Sequence, residues 1–333
     1  MTGVSSVAID PAELPLAVRP DEPDWSENYC NQAYCPAAGV GFWTHLSRLA
    51  GPHEVWRDVL IAYLPGDRFL IAKGYGNTAT DRGPGAGMLS LRCEESWQRW
   101  TMRFRGAVRD VSGEALRAGA LPDQHHRVAT LKLTWRATSP VWDLGERMAT
   151  QTWAHAHYEQ ACAVTGVLSC GEERWELDGT GIRDHSRGPR VFGTVREHWW
   201  LSAQFPSDRS FAALQVINHG DEVTPLSFGY VSDGTTLTPC EIGGIEVLER
   251  DAHGDPARTR VRLATTAGEH TVEGRLLQAM PFGMGSPNEL VLGRAVDART
   301  PLTLREAQTE YTWNGERGFG LTERSWTPAE ARS

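Results

Sequence analysis

The sequence predicts an all-β protein made of two successive sets of antiparallel strands, each closed into a barrel or folded as a sandwich. Three observations point there. From Val55 onward, short segments of alternating polarity are bounded by Gly, Pro and Asp, the pattern of half-buried antiparallel strands. No amphipathic helical stripe runs longer than about three turns, which argues against β-α-β units. At 333 residues the chain exceeds what one core usually organises, so two units are expected.

Taken in order, residues 1–24 are rich in Pro, Asp and Glu without periodicity and read as a tail or an extended arm over the surface. Trp25-Ser26-Glu27-Asn28-Tyr29 opens the ordered part. A first set of strands is expected at 55–64, 68–75, 88–95, 99–108 and 126–137. Its clearest member sets Trp100, Met102 and Phe104 on one face and Thr101, Arg103 and Arg105 on the other. Leu131, Leu133 and Trp135 alternate in the same way with Thr130, Lys132 and Thr134. Residues 109–125 allow at most a short helix.

The rhythm breaks over 138–157, around Pro140, and a domain boundary is placed there, with domains at 25–145 and 146–330. A second set is expected at 157–168, 173–185, 197–205, 210–219, 225–233, 244–250, 259–264, 269–280, 288–296, 309–313 and 318–326. Asp178-Gly179, Asp233-Gly234 and Asn314-Gly315 read as hairpin turns.

Composition excludes several functions. A net charge of −9 disfavours nucleic acid as a partner, because phosphate binding needs a basic footprint. The first twenty residues lack a basic and then apolar leader, and no apolar run is long enough to span a bilayer, so a soluble cytoplasmic protein is expected. The six cysteines are scattered; Cys30 and Cys35 have no second pair for zinc, and reduced core thiols are expected. Cys162 and Cys170 fall in what reads as one hairpin and are candidates to face each other. Neither His125-His126 nor the looser set of His53, His155 and His157 makes a metal site. No helix follows Gly181, Gly188 and Arg190, so they are not a phosphate loop, and no cofactor is expected.

The densest chemistry lies at 178–190, where Asp178, Arg183, Asp184, His185, Arg187 and Arg190 crowd among glycines. On a strand, Ile182 and Asp184 share one face while Arg183 and His185 share the other. Glu159 shares a face with His157, and Tyr158 shares the opposite face with Gln160. Trp199 and Trp200 point to opposite faces of one strand, with His198 on the face of Trp200. Each of these residues has a plainer reading: Asp184 as an ion pair with Arg183, Arg187 or Arg190 stapling two domains, Glu159 as a cross-strand surface pair, the tryptophans as core.

Gly179-Thr180-Gly181-Ile182-Arg183-Asp184-His185-Ser186-Arg187-Gly188-Pro189-Arg190 resembles the G-x-G-x-R-D-H-S-W-G-P-R signature of the AttH and carotenoid hydratase (hydroxyneurosporene synthase) group. Trp25 to Tyr29 resembles its W-x-E-x-Y opening, and Arg99-Trp100 through Gly106 resembles its R-W-x-x-x-x-x-G strand. His157-Tyr158-Glu159-Gln160, followed by Thr165-Gly166, resembles H-Y-E-Q…G, and Gly315 to Glu323 resembles the closing G-x-x-G-x-G-x-x-E. Arg187 stands where the signature usually has Trp.

The resemblance implies two lipocalin-like (calycin-type) domains in tandem. It also implies a cofactor-independent hydratase, isomerase or cyclase acting on a hydrophobic isoprenoid- or polyketide-like molecule. A non-catalytic lipid or pigment binder and a pericyclic cyclase remain alternatives. Alkene hydration needs a strong general acid, a cavity that tolerates a cation and a base to hold water. On this reading Asp184 is the acid, Glu159 and His185 orient water, and Arg183, Arg190 and Trp199 shape the pocket. Tyr158 and Gln160, with Glu323, are further groups suited to orienting water or a ligand carbonyl.

Overall fold

A computed structural model describes residues 9–119, 125–220, 223–294 and 302–327, so the start of the expected tail and the ends of the 109–125, 288–296 and 146–330 segments lie outside the described residues. In chain order the first elements are β1 (Trp25–Cys35), β2 (Val40–Arg48), β3 (Trp56–Leu64), β4 (Arg68–Gly76), β5 (Leu89–Glu95), β6 (Arg99–Ser112) and the one-turn helix α1 (Gly113–Arg117). They are followed by β7 (His126–Ala137), β8 (Trp142–Asp143), β9 (Ala156–Cys170) and β10 (Glu173–Pro189). The order β10-β1-β2-β3-β4-β6-β7-β9, with β9 pairing back on β10, closes an antiparallel barrel. The second series is β11 (Val195–Gln204), β12 (Ser210–Asn218), β13 (Leu226–Ser232), β14 (Leu237–Arg250), β15 (Pro256–Thr265), β16 (Gly268–Gly285), β17 (Glu289–Leu292), β18 (Leu302–Trp313) and β19 (Glu316–Trp326). Here β15-β14-β13-β12-β11-β19-β18-β16 form a continuous antiparallel sheet, and the pairing of β15 with β16 closes it. Closure leaves no long free edge in either sheet.

Three apolar layers hold the two barrels. Phe42, Trp56 and Trp135 fill the first barrel, and Phe211, Tyr311 and Trp313 fill the second. Between them, Val59, Ile61 and Phe69 from β3 and β4 pack with Leu214, Phe228 and Phe282 of the second barrel. Strands β1 and β3 are therefore covered on both faces, one by their own barrel and one by its neighbour. Such strands lose the polar/apolar alternation, which is why β2 and most of β1 carry no period-two signal in the sequence.

Several expectations need correcting. β9 and β10, expected in the second set, complete the first barrel by pairing with β7 and β1. Local alternation marks a strand but does not name its partner. Asp178-Gly179 is not a turn: it lies within β10, opposite Thr165 and Val164, and the hairpin turns at Gly171 with φ +60°. Cys162 and Cys170 sit on one strand and do not face each other, and all six cysteines are buried free thiols. Asn314-Gly315 does join β18 to β19, with φ of +52° and +80°.

The described part of the tail does run over the surface, with Val18 79% exposed, but one of its residues enters the first barrel. Residues Pro11–Glu13 make a turn capped by the Asp10 side chain, and Glu13 is completely buried in the mouth of the first barrel. Its carboxylate accepts from Trp100 Nε1 at 3.1 Å and pairs with Arg183. No helix among the described residues is long and apolar enough to cross a membrane.

Gly179 is needed because a Cβ there would overlap the carbonyl oxygen of Tyr34 on β1. Gly179→Ala is expected to cost about 1–3 kcal/mol, the usual range for overpacking. Urea unfolding should show it as a lower midpoint at unchanged slope; an unchanged midpoint contradicts the close approach.

Candidate functional site

The register of β10 decides where its side chains go. Ile182, Asp184 and Ser186 face the neighbouring barrel, while Arg183, His185 and Arg187 point into their own. Asp184 stands opposite Cys30 of β1 and Glu159 of β9. On the far side, His198 and Trp200 share the inward face of β11, and Glu323 of β19 is the cross-strand partner of Trp200. These faces enclose a cavity of about 120 Å³ that opens to solvent. Asp184, His157, Trp43 and Arg190 line it from the first barrel, and His198, Trp200, Glu323 and apolar residues such as Leu304 and Phe282 line it from the second.

Asp184 is buried among largely apolar walls, and its Oδ2 lies 3.3 Å from Nε2 of His157. The same nitrogen is 3.2 Å from Oε1 of Glu159. Burial raises the Asp184 pKa to about 7; Glu159 and Glu323 push the same way, and His157 and Arg190 oppose. For His157 burial works downward, but Asp184 and Glu159 outweigh it and the pKa is raised. The pair therefore shares a proton near neutrality and titrates as a unit.

A second proton-holding array faces it. His198 Nδ1 is 3.0 Å from Glu323 Oε1. Glu306, directly opposite Glu323 on β18, is completely buried. Burial and the Glu323 charge hold Glu306 well above the usual carboxylate range. Burial pushes Glu323 up as well, but the hydrogen bond from Glu306 and the His198 charge bring it below its ordinary value. Glu306 thus keeps its proton and donates it to the Glu323 carboxylate, leaving Glu323 free to polarise His198.

The structure brings together some of the expected residues and separates others. Asp184, Arg190 and Glu323 line the cavity, and Glu159 stands directly behind His157. No arginine ion-pairs with Asp184 among the described residues: Arg183 pairs with Glu13 and Arg187 with Glu27, while Arg190 donates to Ser186 Oγ at 2.9 Å and to the Trp153 carbonyl. His185, Arg183, Tyr158 and Gln160 are inside the first barrel, on the other side of the sheet from the cavity. There Arg183 donates to Gln160 Oε1, and His185 lies 3.2 Å from the Tyr158 hydroxyl and 3.0 Å from Glu27. Burial brings the His185 pKa down to about 4, and its ring stacks on Tyr29 at 3.8 Å. These four residues form a network inside the first barrel, where Arg183 holds the buried Glu13, and they do not line the cavity.

Trp199 packs into the core of the second barrel, and Trp200 takes the cavity wall. His157, His198, Trp43 and Glu306 were not singled out as site residues. His157 was legible from its shared face with Glu159, and His198 from its shared face with Trp200. Glu306 carried no signal, because residues 302–308 are buried on both faces. Among the described residues no group of three or more His, Cys, Asp or Glu is arranged to hold a metal ion.

Residues 12–328 match the family described as a domain of unknown function, DUF7064, and the chain belongs to that family. No curated protein matches the chain. Among solved structures, an AttH-type protein from Nitrosomonas europaea aligns over 97% of this chain and 100% of its own, with a TM-score of 0.58 at 14% identity. CghA aligns over 96% and 95%, with a TM-score of 0.54 at 13% identity; it has also been solved with Sch210972. Kievitone hydratase from Nectria haematococca aligns over 92% and 90%, with a TM-score of 0.55 at 11% identity. The paired-barrel fold expected from the resemblance to the AttH group is the fold observed.

Asp184 has a folded-state pKa of about 7 against an ordinary 3.8, so its contribution to stability is intact below pH 4 and is lost as pH rises towards 7. The raised pKa of His157 acts in the same direction from about its ordinary 6.5 upward. Asp184→Asn should therefore flatten the fall in melting temperature between pH 4 and pH 7. Parallel curves for the variant and the wild type contradict a raised Asp184 pKa.

Proposed function

Given membership of DUF7064 and the AttH-like fold, we propose that the protein is a cofactor-independent hydratase or cyclase. Its substrate is a hydrophobic isoprenoid- or polyketide-like molecule held between the two barrels. The observation that carries this reading is Asp184: a carboxyl group that keeps its proton to about pH 7 while lining an apolar cavity. Such a group is a general acid poised at its working pH.

In hydration, Asp184 transfers its proton to one alkene carbon and the adjacent carbon becomes cationic. The faces of Trp43 and Trp200 are the electron-rich surfaces in the cavity that stabilise such a cation. A water molecule adds to it, forming the C–O bond, and gives its spare proton to His198, whose imidazole is oriented by Glu323. The Asp184 proton stays in the new C–H bond, the proton on His198 comes from the added water and leaves to solvent, and solvent supplies the one that restores Asp184. His157, backed by Glu159, reloads Asp184. In cyclisation a second double bond of the substrate takes the place of water, and the same base removes the proton that closes the reaction.

With an identified substrate, Asp184→Asn is expected to lower kcat by about 10²–10⁴-fold, the usual worth of a positioned acid. Quenching of cavity tryptophan fluorescence should show ligand binding retained. Turnover that survives the substitution contradicts the role. For the wild type, kcat/KM should fall as pH rises above about 7, where Asp184 loses its proton.

A further inference from the structure

The cavity has a second polar end. Across the wall of the first barrel, Ser186, Asn28, Ser47 and Arg57 stand opposite one another on β10, β1, β2 and β3. This row lies two residues along from the row that holds Asp184, Cys30 and His45, a spacing of about 7 Å on one face. Arg190 reaches over it, donating to Ser186 Oγ at 2.9 Å and to the Trp153 carbonyl; with the Asn28 amide turned so that its oxygen faces the guanidinium, that oxygen also accepts from Arg190 Nε at 2.7 Å. Asn288 enters from the second barrel with φ +89°, and its carbonyl accepts from Arg57.

The hydrogen-bond partners of both guanidinium groups are neutral, and Glu289 is the carboxylate whose charge reaches Arg57 without forming an ion pair with it. Arg57 is 1% exposed and Arg190 4%, yet neither forms a salt bridge among the described residues. Arg183, comparably buried, has Glu13 as its counter-ion. A buried cation without a counter-ion costs several kcal/mol, a cost a bound anion offsets. Burial lowers both pKa values to about 10, which leaves both groups charged at neutral pH. Asp184 is the carboxylate whose charge reaches Arg190, and it stays protonated to about pH 7. Burial and the two arginines push His45 well below its ordinary value, so it is neutral. The indole N–H groups of Trp153 and Trp200, and Nδ1 of His45, belong to residues that line the same cavity and have no hydrogen-bond partners among the described residues.

We infer that the ligand is a singly charged organic oxyanion, a carboxylate or an acidic enolate on a hydrophobic body. Its head group seats against Arg190 and Asn28 beside the Trp153 indole, and its reacting carbons lie one row away at Asp184. Arg57 acts one layer behind, through Asn288, by its field rather than by contact. This deepens the reading of the inter-barrel cavity as the ligand site, and it does not depend on Asp184 being a catalytic acid.

The test is a tryptophan-fluorescence titration of the full chain at pH 6, where Asp184 is still protonated, with decanoate, with 2-decylcyclohexane-1,3-dione as the acidic enol, and with 1-decanol as the neutral control. At least one anion should bind about tenfold or more tightly than 1-decanol, a difference of about 1.4 kcal/mol. Which anion wins separates the carboxylate from the enolate. Arg190→Gln should bring the affinities to parity, and Arg57→Gln should reduce the preference; if Arg190→Gln does not fold, Arg57→Gln decides alone. Equal affinities in the wild type, no binding of any of the three, or a preference that survives in the folded arginine variants overturns the inference. Because no turnover is needed, an inactive carrier would still show the preference, whereas a hydratase of neutral lipids would not.

Discussion

Everything in the candidate site follows from one strand having both faces buried. β10 closes the first barrel with one face and walls the inter-barrel cavity with the other. With a period of two, the consecutive residues Arg183, Asp184, His185 and Ser186 are dealt alternately to two dry compartments. A single-residue slip would exchange the two sets and place a guanidinium in the cavity and a carboxyl inside the barrel. The anchoring of β10 is correspondingly heavy. It pairs with β1 and β9 along most of its length, and Glu13 and Glu27 tie its inward side chains in place.

That division sorts the charges. Inside the barrel, Arg183 and Arg187 have carboxylate partners, and His185 is neutral and hydrogen-bonded. On the cavity side, Asp184 meets an imidazole rather than a guanidinium, so burial leaves it protonated to about pH 7. Across the cavity, buried Glu306 stands opposite Glu323, which lies 3.0 Å from His198. Asp184 and His198 face one cavity from opposite barrels, an arrangement that neither barrel makes alone. The apolar layer between the barrels, with Ile61 and Phe282 at its centre, fixes their separation.

Much of this was legible in the sequence. Trp100, Met102 and Phe104 showed a strand with one dry face, and the parity of 182–186 correctly separated Asp184 from Arg183 and His185. The signature at 179–190 pointed to the paired-barrel fold and to the strand that carries the acid. What was illegible came from burial on both faces. β2 and the first half of β18 show no alternation, so Trp43, His45 and Glu306 went unnoticed. Gly179 was read as a turn signal, yet in β10 it and Gly181 relieve crowding against β1. Trp199 and Trp200 were known to oppose each other, but nothing in the local pattern says which side of β11 faces the other barrel.

The most direct measurement is the ionisation of Asp184 itself. Carbon-13 NMR of aspartate-labelled protein, with the Asp184 carboxyl resonance assigned by its loss in Asp184→Asn, follows the group through a pH titration. A midpoint near 7, broadened by coupling to His157, is the result that makes Asp184 a neutral acid in an apolar cavity. A midpoint near the ordinary 3.8 would make it a permanently charged carboxylate and remove the acid on which the account rests.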